Sequence, residues 1–231
     1  SNQKGGVGKT TSCINIAAAL GQQGKRVLLV DLDPQGNATS GLGVDRPEIE
    51  HCVYDVLINS APPEAVIVKS GFRNLWLLPA TINLAGAEVE LVSAISRENK
   101  LRRAVRPLSP FYDYIFVDCP PSLGLLTINA LALADSLLVP LQCEYYALEG
   151  LTQLLNTYQM VRGHLNSELE IEGVLLTMYD SRTNLSAQVA EEARAYFGDK
   201  VYQSQISRSV RLSEAPSYGV PGVFYDRKSR G

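Results

Sequence analysis

The sequence is poor in the residues that build metal sites and disulfide frameworks. It has two histidines, His51 and His164, and four cysteines, Cys13, Cys52, Cys119 and Cys143, with no CxxC pair among them. That scatter argues against a zinc site or a cystine scaffold and fits a reducing cytoplasm. Long apolar runs are also lacking. The longest, 123–141, is interrupted by Asn129, Asp135 and Pro140 and reads as a helix followed by a strand rather than a membrane span. No secretory signal is read at the start. Nor is there an excess of positive charge. Lys and Arg number 21 against 24 Asp and Glu, a net charge of −3. This argues against a dedicated nucleic-acid binder but leaves room for a local basic patch.

What the chain does have is enough apolar content for a sizeable core, 45% of 231 residues, and the length of one α/β domain spanning 1–231. Short Val/Ile/Leu runs at 27–32, 75–79, 114–117, 137–141 and 173–178 lack alternation, the mark of strands covered on both faces. Helical patterns lie between or beyond them at 10–22, 84–95, 123–134, 148–165 and 186–197. The alternation predicts an α/β, doubly wound, mostly parallel sheet with helices on both faces. The stretch 44–72, with Pro47, Pro62 and Pro63, is less regular and reads as a peripheral insertion.

A phosphate-binding loop opens the chain. Residues 2–11 read Asn-Gln-Lys-Gly-Gly-Val-Gly-Lys-Thr-Thr. Gly8-Lys9-Thr10 supplies the second half of the pattern GxxxxGK[ST], whereas Gln3 stands where its first glycine belongs and Lys4 is an additional cation. Gly5, Gly6 and Gly8 permit backbone angles that turn N–H groups inward around phosphate oxygens. The helix that follows adds the positive end of its dipole. Lys9 can reach the β and γ phosphates, and the Thr10 hydroxyl can ligate Mg²⁺. Such a loop ordinarily follows a strand. Here Ser1-Asn2-Gln3 leads straight into it, so the first strand is expected to be missing and the chain to be a fragment of a slightly longer protein.

Two further carboxylates stand at strand ends, where ligands sit in open α/β sheets. Asp33 precedes the turn Pro34-Gln35-Gly36 and can orient an attacking water or hold a water on Mg²⁺; an Asp there also commonly caps a turn. Asp118 ends the run Tyr114-Ile115-Phe116-Val117 and suits an Mg²⁺ contact through water. The stiff Pro120-Pro121 and the permissive Gly124 after it suit a loop that senses the γ-phosphate.

The sequence Lys-Gly-Gly-Val-Gly-Lys-Thr-Thr at 4–11 resembles the signature of the deviant Walker-A ATPases, the P-loop group that includes ParA, MinD and the nitrogenase iron protein. The Asn2-Gln3 lead, the segment 31–43 (DLDPQGNATSGLG), the segment 118–124 (DCPPSLG), and the stretches 176–184 and 210–216 are similar to ParA/Soj partitioning proteins in particular. The resemblance implies ATP and Mg²⁺ as cofactors. It implies nucleotide contacts from Lys4, Gly5, Gly6, Val7, Gly8, Lys9, Thr10 and Thr11, with Ser207 and Ser209 near the base. Relatives often carry Pro-Arg-Asn at 207–209, so base recognition departs from the pattern there. Lys4, Lys9 and Asp33 take the catalytic roles, Lys4 by reaching the partner's nucleotide across a dimer, and Thr10, Asp118 and Asp33 serve the metal.

The same resemblance implies a chromosome or plasmid segregation switch. An ATP-bound homodimer binds DNA nonspecifically through Arg182 and Arg211 and hydrolyses ATP slowly until a ParB/Spo0J-type protein stimulates it. Arg208, Arg194 and Lys200 are weaker DNA candidates. The setting is the bacterial cytoplasm, at the nucleoid and away from the membrane. Two alternatives share the fold: a MinD-like membrane-associated positioning ATPase, which needs a basic amphipathic C-terminal helix, and a metabolic ATP-dependent enzyme, which needs a second substrate pocket.

Overall fold

The computed structural model describes residues 6–144 and 147–226. In chain order its elements are α1 (Lys9–Gln22), β1 (Val27–Asp31), α2 (Asn37–Gly41), α3 (Val53–Leu57), α4 (Pro63–Val66), β2 (Val68–Lys69), β3 (Leu75–Leu78), α5 (Leu84–Glu90), α6 (Lys100–Val105), β4 (Tyr114–Asp118), α7 (Leu125–Leu133), β5 (Ser136–Gln142), α8 (Ala147–His164), β6 (Glu170–Tyr179), α9 (Asn184–Phe197), β7 (Val201–Ser207), α10 (Val210–Glu214) and α11 (Gly222–Tyr225). Several short 3₁₀ turns join them.

The strands form two sheets, ordered β2-β3-β1-β4 and β5-β6-β7. All pairings are parallel except β2 with β3. Successive side chains on a strand point to opposite faces, so a strand covered on both sides is apolar throughout. β1 follows this up to its last residue: all five residues are buried, and Val27 to Val30 are apolar while Asp31 closes the strand. Val27 and Leu29 pack with Ile14, Ala17 and Ala18 of α1 on one face. Leu28 and Val30 pack on the other with Val53 and Val56 of α3, Leu84 of α5, Leu101 of α6 and Leu126 of α7. In the second sheet Val139, Leu141, Val174 and Leu176 share a core with Leu154 of α8 and Val189 of α9.

Among the described residues, a cleft of about 750 Å³ lies between β4 and β5, walled by Ile115, Val117, Leu138 and Leu175 and lined also by Lys9 and Asp118. The expectation that the first strand ahead of the phosphate loop is missing concerns residues outside those described. Among the described residues, no helix is long and apolar enough to cross a membrane.

Three expectations need correction. The stretch 44–72 is not peripheral: Val53, Val56 and Leu57, spaced i, i+3, i+4, and Val66 sit in the main core. The helix expected over 84–95 ends at Glu90 and continues only as a 3₁₀ turn, Leu91–Ser93. Its later apolar residues Val92 and Ile95 face solvent, which removes the burial that would have extended it. Strands β2 and β7 were not expected; β7 is mostly exposed along its middle and lacks a continuous apolar run.

Two glycines in left-handed conformation meet where the turn after α2 touches the turn before α11. Gly43 has φ 74° and Gly219 φ 63°. A Cβ on Gly219 would lie 2.6 Å from the Gly43 Cα, and one on Gly43 would lie 3.0 Å from the Gly219 carbonyl.

Glycine plays opposite parts in two helices. On α1 a Cβ at Gly21 would fall 2.4 Å from the Arg73 carbonyl oxygen, whereas on α8 Gly163 has nothing within 4 Å. Gly163→Ala is therefore expected to stabilise the chain by about 0.5–1 kcal/mol through the entropy of the unfolded state. Gly21→Ala should destabilise it by about 1–3 kcal/mol by overpacking against backbone. Urea denaturation of the two variants should give midpoint shifts of opposite sign.

Candidate functional site

The phosphate loop runs into α1 across the gap between the two sheets. Gly6 and Gly8 have φ 81° and 88°, a region closed to most side chains. Gly8 caps α1, and its carbonyl accepts the Ser12 N–H at 2.8 Å. One anchor comes from each sheet. The Thr177 hydroxyl on β6 donates to the Val7 carbonyl at 2.9 Å. On the other side the Thr10 hydroxyl donates to the Asp118 carboxylate at the end of β4 at 2.7 Å. The loop's curvature is thus fixed by side chains from both sheets as well as by its glycines. Thr11 lies on the first turn of α1, where its carbonyl accepts from Asn15 at 2.8 Å. Lys4 and Gly5 lie outside the described residues.

Asp31 and Asp118 stand side by side as register partners at the carboxyl ends of β1 and β4. Both are buried. Burial lifts the Asp118 carboxyl to about 7, the neighbouring Asp31 adds to the lift, and the Thr10 hydrogen bond opposes it. Burial likewise lifts Asp31 to about 6, against the bonds it accepts from Thr39 and from the Asp33 N–H. The Thr39 N–H and hydroxyl reach Asp31 at 2.8 and 2.7 Å. Burial pushes the Lys9 ammonium below the ordinary lysine range, and Asp118 pulls it back. A half-buried cation, a hydroxyl and a buried carboxylate meeting at a helix N-terminus can bind an anion and its divalent counter-ion together.

Asp33 is buried two residues beyond Asp31, and its Oδ1 accepts the Gln35 N–H at 2.9 Å. The turn-capping bond foreseen from Pro34 is present, but a carboxylate has about four acceptor sites and this bond uses one. Among the described residues no cluster of three or more His, Cys, Asp or Glu could hold a metal. Cys13 and Cys119 are free thiols beside the site, and burial raises both. Such thiols are poor nucleophiles.

The remaining predicted residues lie on the second sheet and after it. Ser207 ends β7, and Ser209 caps α10 by accepting the Leu212 N–H at 3.4 Å. Arg182 is 86% exposed but donates twice to Asp180, at 2.9 and 2.7 Å. Arg211 pairs with Glu214 at 3.0 Å and with Asp226 at 3.7 Å. Arg208 contacts Glu144 at 3.2 Å. Arg182, Arg208 and Arg211 therefore already face carboxylates.

Thr39 and Thr177 were not anticipated. A lone threonine on α2 or β6 carries no sequence signal; only folding brings it to Asp31 or Val7.

The raised carboxyls set a pH dependence. The native state keeps protons on Asp118 (about 7) and Asp31 (about 6) that the unfolded chain, with aspartates near 4, has released. Between pH about 4 and about 7 the native state binds more protons, so stability falls as pH rises through that window. Asp113 and Asp180, held at about 2 by Arg26 and Arg182, act in the opposite sense only in more acidic solution. Without nucleotide, the urea midpoint should rise as pH falls from about 8 to about 5. Asp118→Asn should flatten that slope. A midpoint that climbs with pH across this range contradicts the assignment.

A family model described as an AAA domain matches residues 1–171. The sporulation initiation inhibitor protein Soj of Bacillus subtilis is 62% identical over 230 residues, covering 100% of this chain and 91% of that protein. The chromosome partitioning protein ParA of Myxococcus xanthus is 57% identical, covering 100% and 82%. A solved structure described as cobyrinic acid a,c-diamide synthase from Mycobacterium smegmatis, with a bound ATP analogue and magnesium, superposes with a TM-score of 0.85. It is 43% identical and covers 95% of this chain and 90% of that one. With this similarity along its whole length and a phosphate loop held between two sheets, the chain belongs to the Soj/ParA family of P-loop partitioning ATPases.

Proposed function

We propose that this chain is an ATP-driven switch for chromosome or plasmid segregation, at the nucleoid in the bacterial cytoplasm. ATP·Mg²⁺ closes a homodimer, the dimer binds DNA without sequence preference, and a ParB/Spo0J-type partner stimulates slow hydrolysis to ADP and phosphate. The observation that carries the reading is the Thr10 hydroxyl held 2.7 Å from the Asp118 carboxylate beneath a left-handed glycine loop. That pairing supports an Mg²⁺ ligated by Thr10 and bonded through water to Asp118, with Lys9 and the amides of Gly6 to Thr11 on the phosphates. The Soj and ParA relatives, at 62% and 57% identity, favour partitioning over the amide-synthase activity of the 43% identical structure.

The chain's own residues divide the work. Lys9, already short of water, neutralises charge on the transferred phosphoryl group without reorganising solvent. Asp33 orients the attacking water or holds a water on the metal. Lys4 acts on the partner's nucleotide, and Ser207 and Ser209 stand near the base. Arg182 and Arg211 contact DNA phosphates. Because each faces carboxylates, the single-chain interaction is weak, and pairing two chains raises it through effective concentration.

Asp33→Ala is expected to keep nucleotide affinity and ATP-dependent dimerisation while losing turnover by about 10²-fold or more, the scale of a lost acid–base or water-orienting group. Phosphate release with size-exclusion chromatography checks this, and normal turnover removes Asp33 from the mechanism.

Arg211→Glu should abolish ATP-dependent retention on DNA at low salt, whereas Glu214→Gln, which removes a competing carboxylate, should tighten it by about threefold to tenfold. Co-sedimentation with DNA across a salt series reads both, and unchanged retention in either variant counts against the arginine assignment.

A further inference from the structure

The loop 119–124, between Asp118 and α7, is gripped at its far end by a residue from a different helix. α7 starts at Leu125 behind Gly124 and has no side-chain cap of its own. Glu88, on α5, fills that role. Its carboxylate accepts the Leu125 N–H at 3.0 Å and the Leu126 N–H at 3.3 Å, one on each oxygen. Gly124 comes so close that a Cβ there would sit 2.5 Å from the Glu88 Oε1. An anion at this position also meets the positive end of the helix dipole.

The rest of the surroundings are fixed. Asn129, fully buried on α7, accepts the Leu101 N–H at 3.1 Å and donates to the Arg97 carbonyl at 2.8 Å. The Thr127 hydroxyl donates to the Ser122 carbonyl at 2.7 Å. At the near end the Leu32 N–H bonds the Asp118 carbonyl at 2.9 Å. The loop with its two prolines is therefore strung between the Thr10–Asp118 pair and the Glu88 cap. A shift in Asp118 when a γ-phosphate arrives must be taken up by the loop or passed to Gly124.

We propose that Glu88 is a positioning residue for the nucleotide response: its two-pronged cap fixes the loop so that the site distinguishes ATP from ADP. This rests on the reading of 118–124 as the segment that senses the γ-phosphate. Glu88 acts through Gly124 and the first turn of α7.

The test uses the full-length protein as wild type, Glu88→Ala, Glu88→Gln and Gly124→Ala. Thermal shifts are measured with Mg²⁺ and either ADP or a non-hydrolysable ATP analogue, and kcat and KM with DNA present. Losing the cap is expected to lower kcat about five- to tenfold, the fold-change equivalent of one N-cap, with KM for ATP changed less than about twofold. The ATP-analogue shift should shrink towards the ADP shift, and the ADP shift should stay at its wild-type value. Glu88→Gln, whose amide oxygen can still accept one N–H, should recover part of the loss. Gly124→Ala, which pushes the carboxylate away, should reproduce the Ala phenotype from the other side of the contact.

If Glu88→Ala lowers the nucleotide-free melting temperature and reduces both nucleotide shifts in proportion, Glu88 is only a structural cap and the proposal is overturned. Wild-type kinetics and shifts in Glu88→Ala overturn it as well. If the wild type itself responds equally to ADP and the ATP analogue, the sensing role of 118–124 falls, and the Glu88 proposal falls with it.

Discussion

Two buried carboxylates on adjacent strands are the constraint around which this molecule is arranged. Asp31 and Asp118 are in register at the ends of β1 and β4. Removing like charges from water side by side costs far more than the fold can spare unless protons, donors or cations offset it. Each carboxylate solves the problem differently. Asp31 is satisfied internally, by the amide and hydroxyl of Thr39. Asp118 receives one hydroxyl, from Thr10, and otherwise looks towards the half-buried Lys9. The first arrangement is structural. The second leaves an electrostatic deficit beside the loop, and a hard cation brought in by a polyphosphate would relieve it.

The same hydrogen bonds carry rigidity outward. Thr39 uses its hydroxyl twice, donating to Asp31 and accepting the Ala80 N–H at 3.0 Å. The turn carrying Asp33 is thereby tied to the end of β3. Thr177 ties the phosphate loop to the second sheet, and Glu88 ties the 118–124 loop to α5. The candidate site residues lie at element ends or on turns: Lys9 and Thr10 open α1, Asp118 ends β4 and Asp33 precedes a turn, and each is moored to a strand or helix that has little freedom in a packed core.

Much of this was legible in the sequence because the signals were contiguous. Gly6, Gly8, Lys9 and Thr10 lie within five residues, and Asp118 closes an unbroken apolar strand. What stayed hidden was either tertiary or weakly patterned. Glu88 acts on a helix that starts 37 residues later, so no local window contains both partners. The helix over 84–95 was overextended because Val92 and Ile95 continue the apolar rhythm while facing solvent. The stretch 44–72 reads as peripheral because its helices are only four and five residues long, too short for periodicity to register, although their apolar residues enter the core. In β7 the half-exposed run Val-Tyr-Gln-Ser-Gln-Ile-Ser offers neither clean alternation nor a solid apolar stretch.

The contact of Gly43 with Gly219 joins the turn behind the Asp33 loop to the segment that carries Arg211, with bare backbone on both sides. Neither position has room for a methyl group while the other stays in place. The two turns therefore behave as one steric unit: a side chain at either site requires the backbone of the other segment to move.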